Sequence, residues 1–157
     1  DEQPYMGIRT QATMSQLGTV IPQLHDEVYQ MLEKRGVAPS GAPFIRYHVI
    51  DMAAKLDIEM GWPVAAALPS EANITAGVLP AGQYATLLYT GDYDGLMDAN
   101  RVLIEWAQEN SIAWDRWDDE NGDAFRSRIE IYHTDPGNEP DPAKWETEVA
   151  IMIKSTG

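Results

Sequence analysis

The order of apolar and polar positions gives one arrangement of elements twice along the chain. Residues 43–64, PFIRYHVIDMAAKLDIEMGWPV, contain two runs with the alternation typical of strands, Pro43–Ile50 and Lys55–Trp62. The short segment DMAA between them predicts a hairpin. The same pattern returns at Phe125–Thr134 and Trp145–Ile153. We therefore expect two related strand pairs.

Each strand pair follows one amphipathic helix and one short strand. Apolar residues recur at intervals of three and four in both helical segments, which is the period of a helix. They are Leu17, Ile21, Leu24, Val28 and Met31 in the first helix, and Leu96, Ala99, Leu103 and Trp106 in the second. Gly36 and Asn110 mark the predicted helix ends, and the preceding strands are predicted at Tyr5–Thr10 and Gln83–Thr90.

Two copies of strand–helix–strand–strand predict an α+β fold with pseudo-two-fold symmetry. Antiparallel sheets are expected to carry both helices on one face and to form a ligand groove on the other. At 157 residues the chain fits a single domain, 1–157, with halves at about 5–64 and 76–154. We expect one extra strand at 76–79 and an exposed loop at 113–123, AWDRWDDENGD.

Acidic residues occupy matching places in the repeat, Glu59 in the first half and Glu148 in the second. Alternation assigns Glu59, Glu130 and Glu148 to the mixed face of their strands, opposite the apolar residues expected to meet the helices. If this face forms the groove, burial raises the pKa of a carboxylate there, which then pairs with a cation or acts as an acid or base. The alternatives are solvent exposure and, for Glu130, an ion pair with Arg126 or Arg128.

Histidines and aromatic residues add to this picture. His48 and His133 each follow a Tyr at matching places, so the repeat accounts for them, and no His has HExxH spacing. We therefore expect no metal site. The chain has 5 Trp and 7 Tyr against 2 Phe, and such amphipathic rings suit half-wet pockets that hold flat or cationic ligands.

Composition excludes several classes of function. A formal net charge of −14 argues against nucleic-acid binding by this chain, because phosphate contacts need clustered Lys and Arg. Cysteine is absent, which excludes thiolate chemistry and fits a reducing cytosol. No apolar run approaches a membrane span, and the chain contains no phosphate loop or GxSxG elbow. We expect a cytoplasmic protein with no cofactor and no membrane contact.

Three segments together resemble the GyrI-like family: LDIEMGWPV, LPAGQYATLLYTGDYDGL and IEIYHTDPGNEPDPAKWETEVAIMI. The resemblance covers roughly residues 5–154. This family comprises small-molecule-binding domains, which also occur as effector domains of AraC-type and MerR-type multidrug-sensing regulators. It implies a tandem strand–helix–strand–strand fold whose groove accepts hydrophobic, often cationic or planar compounds.

The resemblance also implies a carboxylate at the centre of the pocket with aromatic residues around it. The family's TE-plus-apolar ending corresponds to Glu148, and its ExGxPV motif corresponds to Glu59. Its EIY motif corresponds to Glu130 and Tyr132, and the Tyr of its GxY turn to Tyr93. Of the three acids, we expect Glu148 to be the working one.

The leading hypothesis is a module that binds hydrophobic, planar or cationic small molecules, alone or as the effector domain of a transcriptional regulator. Four aromatic residues would form the walls around Glu148: Tyr93, Tyr132, Trp62 and Trp106. Some members of the family hydrolyse reactive cyclopropane-bearing compounds, which suggests an alternative with Glu148 as general base and Tyr132 beside it. A third hypothesis is a gyrase-inhibitor-like module whose acidic surface contacts a protein partner.

Overall fold

The chain forms two helices and nine strands within the residues that the structure, a computed structural model, describes. These are residues 3–13, 16–50, 56–66, 69, 74–119, 122–134 and 139–154. In chain order the elements are β1 (Gln3–Ala12), α1 (Leu17–Lys34), β2 (Phe44–Ile50), β3 (Leu56–Pro63), β4 (Thr75–Leu79), β5 (Tyr84–Thr90), α2 (Leu96–Glu109), β6 (Arg116–Asp119), β7 (Gly122–Phe125), β8 (Arg128–Tyr132) and β9 (Glu146–Met152). The expected hairpin connection at 51–54 lies outside the described residues.

Both helices form where the helical period predicts them and bury one apolar stripe against the sheet. Val28, Met31 and Leu32 of α1 pack on Met6 and Ile8 of β1. The buried stripe of α2 packs on β9 and consists of Leu96, Ala99, Leu103 and Ala107. Neither helix of the described chain is long and apolar enough to cross a membrane.

Gly36 ends the first helix as predicted. Its φ of +69° is a conformation that side chains rarely adopt, and the amide of the next residue, Val37, bonds back to the carbonyl of Leu32 at 2.9 Å. Pro22 lies inside α1, beyond its first turn. A proline there leaves one helical hydrogen bond unmade.

The sheet confirms the expected α+β fold and the repeat. Its strand order is β4-β1-β3-β2-β8-β9-β5. The first half contributes β1-β3-β2 and the second half contributes β8-β9-β5 as its mirror-ordered counterpart, so the equivalent strands β2 and β8 meet at the centre. All of these neighbours are antiparallel. The extra strand predicted at 76–79 is β4.

The sheet curls strongly, because its two edge strands are consecutive in the chain. Laid flat, seven strands would separate β4 from β5 by about 29 Å. Residues 80–83 connect them, and so short a link spans at most about 18 Å. Leu79 of β4 and Tyr84 of β5 accordingly pack on one cluster with Tyr5 and Phe44. We call the face that holds this cluster the concave face and the other the helix face.

The segment 113–123 was wrongly predicted to be a loop. It contains β6 and the start of β7, which pair with each other, and β7 also pairs with β2. The guanidinium of Arg116 bonds the carboxylates of Asp118 and Asp123 on this ribbon. A solvent-exposed ribbon needs no apolar alternation, so its polar sequence gave no strand signal.

We predict that Gly77→Ala destabilises the fold by about 1–3 kcal/mol, because a methyl group there overpacks a filled site. A Cβ at position 77 would stand 2.5 Å from Cζ of the buried Tyr5 ring. Urea denaturation measures the change. Val78→Thr, at an exposed position on the same strand, is the control and should change stability by less than about 0.5 kcal/mol. An unchanged midpoint for Gly77→Ala would show that Tyr5 is free to move.

Candidate functional site

A groove of about 1480 Å³ lies between α1 and α2, above the centre of the sheet. His25 of α1 and Asn100 of α2 face each other across it, and Tyr47, Glu130 and Tyr132 form its floor. The expected groove was on the face without helices. The structure places it on the helix face instead, because the curl of the sheet turns the other face inward and fills much of it with side chains.

Strand register places Glu130 in the middle of an apolar row. The residues paired across the helix face, in order, are Ile8, Met60, Ile45, Glu130, Val149 and Leu87. Only 5% of Glu130 is exposed. A carboxylate surrounded in this way is desolvated unless neighbouring polar groups compensate.

Three polar side chains surround the Glu130 carboxylate. The Tyr47 hydroxyl donates to Oε1 at 3.0 Å, and the Asn100 amide donates to Oε2 at 2.8 Å. The Tyr132 hydroxyl lies 3.5 Å from Oε1. Burial raises the pKa of Glu130 above its ordinary value, although these hydrogen bonds and the positive charge of Arg128 oppose the increase. Of the two expected ion pairs, neither is present: Arg126 pairs with Asp115, and no contact within 4 Å joins Arg128 to Glu130.

A row of aromatic rings runs along the groove from α1 to the end of β8 and beyond. In order, the rings are Tyr29, Trp62, His25, Tyr132, Tyr93 and Trp145, with neighbouring centroids 4.8 to 6.2 Å apart. Burial lowers the pKa of His25, whose Nε2 donates to the Phe44 carbonyl at 2.7 Å. This imidazole is therefore neutral at neutral pH. The wall offers ring faces and edges to a flat ligand.

Arg128 shares the floor with Glu130, two residues away on the same face of β8. Its NH2 group donates to Oδ1 of Asn100 at 3.0 Å, so one side-chain amide joins the arginine to the acid. The guanidinium carbon lies 4.8 Å from the centroid of the Phe125 ring. The groove thus contains both signs of charge.

Glu59 lies on the concave face, away from the groove. It accepts hydrogen bonds from the Tyr5 hydroxyl at 2.6 Å and from Nε2 of His48 at 2.9 Å. Burial alone would raise the pKa of Glu59, but these hydrogen bonds and the nearby charge of Arg46 outweigh it and lower the pKa. These two bonds, both to Oε1, tie Glu59 to β1 and to the end of β2.

Glu148 also lies on the concave face, where it is paired with Ile131 and Leu88. It accepts from Nε2 of His133 at 2.9 Å, as Glu59 does from His48, so the repeat explains both histidines. A shallow pocket of about 260 Å³ adjoins it. The prediction that the three acids share one face is wrong, because Glu130 is opposite Val149 while Glu148 is opposite Ile131.

Of the four aromatic residues predicted to form the walls of the site, three line the groove and one does not. Tyr93, Tyr132 and Trp62 line the groove. Trp106 does not: it is 45% exposed on the flank of α2, because the buried stripe continues from Leu103 to Ala107. Glu148 therefore lies on the opposite face of the sheet from the rings that were expected around it. The expected site, with Tyr132 beside Glu148, does not form.

Sequence reasoning missed several groove residues. Tyr47 was detectable, because it matches Tyr132 in the repeat. His25, Asn100 and Arg128 carry no local motif, and only the packing of the helices over β2 and β8 brings them together. Within the described residues, no group of three or more His, Asp or Glu could hold a metal ion.

The two buried acids should affect stability in opposite ways as the pH changes. The pKa of Glu59 is lowered on folding, so the stability it contributes is present above about pH 4.5 and is lost as the pH falls through the lowered value. The pKa of Glu130 is raised, so its protonation, as the pH falls from the raised value to about 4.5, favours the folded state. Urea titrations of wild type, Glu59→Gln and Glu130→Gln between about pH 3 and 8 test this.

We expect the advantage of wild type over Glu59→Gln, about 1–3 kcal/mol at pH 7, to shrink only below about pH 4.5. The difference between wild type and Glu130→Gln should move in favour of wild type at higher pH, as the pH falls toward about 4.5. Parallel curves for the two variants would contradict the opposite environments of the two acids.

Several solved structures share this fold. The C-terminal domain of EcmrR has a TM-score of 0.78 and 25% identity, and the match covers 99% of this chain and 93% of that one. EcmrR in complex with DNA has a TM-score of 0.79 and 24% identity over 99% of this chain. That match covers 55% of the EcmrR chain, so the present chain spans about half the length of that relative.

Two more distant structures show the fold alone. A hydrolase from Listeria innocua has a TM-score of 0.64 and 13% identity, with 98% of this chain and 88% of that one covered. SAV2435, solved with bound tetraphenylphosphonium, has a TM-score of 0.59 and 12% identity, with 98% and 90% covered. Among curated proteins no match was found.

The family suggested by the sequence motifs is confirmed over nearly the whole chain. Residues 1–154 match the family described as the GyrI-like small molecule binding domain. The groove and its aromatic row agree with a domain that holds a small molecule. The chain belongs to the GyrI-like family of small-molecule-binding domains.

Proposed function

We propose that this chain binds lipophilic cations that carry aromatic rings in the groove between α1 and α2, with Glu130 as the counter-charge. The observation that carries the proposal is a carboxylate, 5% exposed, at the floor of an open groove and beside a row of aromatic rings. A cation that enters restores the favourable environment the carboxylate lost on burial. At 5 Å in partly buried surroundings, this attraction is worth about 3 kcal/mol.

The hydrogen bonds of Glu130 favour cations without N–H groups. Tyr47 and Asn100 already donate to its two oxygens, and Tyr132 is close to one of them. These donors leave few of the roughly four acceptor sites of the carboxylate for the three N–H donors of a primary ammonium. A phosphonium or quaternary ammonium ion needs only proximity and ring faces, each ring adding about 0.5–2 kcal/mol. The tetraphenylphosphonium bound to SAV2435 supports this ligand class.

A regulatory role follows if the chain is the effector part of a longer protein. EcmrR, whose C-terminal domain this chain resembles, was solved in complex with DNA. A net charge of −14 argues against DNA binding by the present chain, because phosphate contacts need clustered Lys and Arg. We propose that DNA binding, where it occurs, belongs to a different part of such a regulator and that the groove supplies the signal.

We predict that tetraphenylphosphonium quenches tryptophan fluorescence saturably, because Trp62 lines the groove. Glu130→Gln should weaken binding at least about tenfold, which corresponds to a loss of about 1.4 kcal/mol. Glu148→Gln is the matched control, since it removes an equal charge on the opposite face. Unchanged affinity in Glu130→Gln, or an equal loss in both variants, would overturn the proposal.

The pH dependence gives an independent check. Because burial raises the pKa of Glu130, binding of a permanent cation should weaken on acidification at a higher pH than an ordinary carboxylate would give. The pH dependence should disappear in Glu130→Gln. The ligand charge does not change in this range, so the protein alone accounts for the effect.

A hydrolase is the second candidate, favoured by the raised pKa of Glu130 and by the two tyrosines near it. A carboxylate with these properties can take a proton from an attacking water. Incubation with styrene oxide and chromatography of the diol tests for turnover. A hydrolase should lose at least about a hundredfold in rate in Glu130→Gln. Stoichiometric binding without formation of the diol would exclude the hydrolase and leave binding as the function.

A further inference from the structure

Arg128 is the polar group on the groove floor that the binding of a cation does not use. A guanidinium has five N–H donors. Within the described residues, Arg128 makes one side-chain hydrogen bond, from NH2 to Asn100, and its buried Nε has no partner. Buried donors that stay unpaired are rare in native proteins and cost stability. This arginine therefore keeps most of its capacity for an acceptor.

Arg46, on the concave face, shows how this fold treats an arginine with a structural role. Its NH1 group bonds the Tyr5 hydroxyl and the Val78 carbonyl, both at 3.1 Å, and its NH2 group bonds the Arg126 carbonyl at 2.7 Å. These bonds join three segments of the chain. The buried Nε of Arg46 has no partner, as in Arg128, but both terminal NH groups of Arg46 are bonded, whereas Arg128 bonds through NH2 alone among the described residues. Arg128 makes no such backbone contacts among the described residues, although it too is largely buried.

Asn100 keeps the two charges of the floor apart. Its Nδ2 donates to Glu130 and its Oδ1 accepts from Arg128. This orientation is forced, because a carboxylate only accepts and a guanidinium only donates. Asp123 also lines the groove, but its carboxylate is bonded to Arg116. Arg128 is thus held near Glu130 without being neutralised by a direct ion pair, and the Phe125 ring supports its plane.

We propose that the groove is built for ligands with charges of both signs: a cationic aromatic body near Glu130 and a carboxylate or similar anionic oxygen on Arg128. This inference rests on the proposed function and narrows its ligand class to zwitterions. The planar fork of an arginine matches a carboxylate with two parallel hydrogen bonds. The ligand anion would satisfy donors that the protein leaves unpaired, while Asn100 keeps the two ligand charges on separate partners.

Tetramethylrhodamine and its methyl ester form a matched probe pair for the test. The free acid is a zwitterion at neutral pH, whereas the ester is a cation with the same rings. We expect the acid to bind wild type at least about tenfold more tightly than the ester, measured by fluorescence anisotropy at 0.15 M salt. The protein's net charge of −14 works against this preference, so the surface field cannot produce it.

Arg128→Met should weaken binding of the acid about tenfold or more and should not weaken binding of the ester, because a cation gains nothing from the guanidinium. Arg128→Lys keeps the charge but not the fork and should retain part of the preference, which decides the matter if Arg128→Met does not fold. Arg126→Met, at an exposed neighbour, is the control and should change neither probe. Glu130→Gln should weaken both probes.

The outcomes separate the two proposals. Equal binding of the probes, tighter binding of the ester, or an equal loss of both in Arg128→Met would overturn the inference while leaving the cation site intact. If neither probe binds, or if Glu130→Gln changes nothing, the proposed function fails together with the inference.

Discussion

Three residue pairs between β2 and β8 join the two halves of the sheet, and everything in the groove depends on their register. Phe44 is paired with Ile131, Ile45 with Glu130, and Arg46 with Ile129. A slip of one residue would move Glu130 to the concave face, since strand side chains alternate. The same junction brings Tyr47 and Tyr132, equivalent in the repeat, to one carboxylate.

On the helix face, the symmetry of this junction is broken where Ile45 of β2 corresponds to Glu130 of β8. Ile45 and Glu130 face each other across it, and the apolar member of the pair is fully buried. An ionised carboxylate in such a row costs several kcal/mol unless it is hydrogen-bonded or paired. Tyr47 and Asn100 supply only part of that compensation, which is why its pKa stays raised. Glu59, bonded by Tyr5 and His48, shows the opposite result in the same sheet. The number of hydrogen bonds does not separate the two acids, since Glu130 accepts on both oxygens and Glu59 on Oε1. At Glu59 the hydrogen bonds and the charge of Arg46 outweigh burial, whereas at Glu130 burial dominates and leaves an acid that gains from a ligand cation.

The sequence predicted the elements well because their signals are local. The period of α1, its end at Gly36 and the repeated strand pairs all follow from neighbouring residues. The face of the sheet on which each acid lies does not follow from neighbouring residues. Around Glu130, both faces of β8 are partly apolar, with Ile129 and Ile131 on one side and Tyr132 on the other, so alternation alone could not show which side the helices cover. That choice is fixed by pairing with β2, a contact between residues more than 80 positions apart in the chain.

Trp106 and the segment 113–123 show two other limits of the same reasoning. Trp106 fits the helical period as well as Ala107 does, and only packing against β9 decides which of them is buried. The β6–β7 ribbon pairs through its backbone while its side chains stay largely polar, so alternation has nothing to detect there. The role of Asn100 is harder still to predict from the sequence. Its role depends on lying one helical turn from Leu96 and within reach of two groups on β8, and no pattern along α2 encodes that distance.

Surface charge and groove charge contribute in different ways to recognition. A net charge of −14 attracts cations of every kind, but salt screens it within about 8 Å at physiological ionic strength. It therefore raises encounter rates more than it selects among ligands. Glu130 acts at short range, in a buried position beside aromatic rings where salt screens charge less. Selectivity thus comes from combining a buried charge with ring faces that a lipophilic ligand can contact. Arg128 makes a further demand on the ligand. A pure cation beside Glu130 also lies near the positive charge of Arg128, because the Asn100 amide alone separates the two side chains.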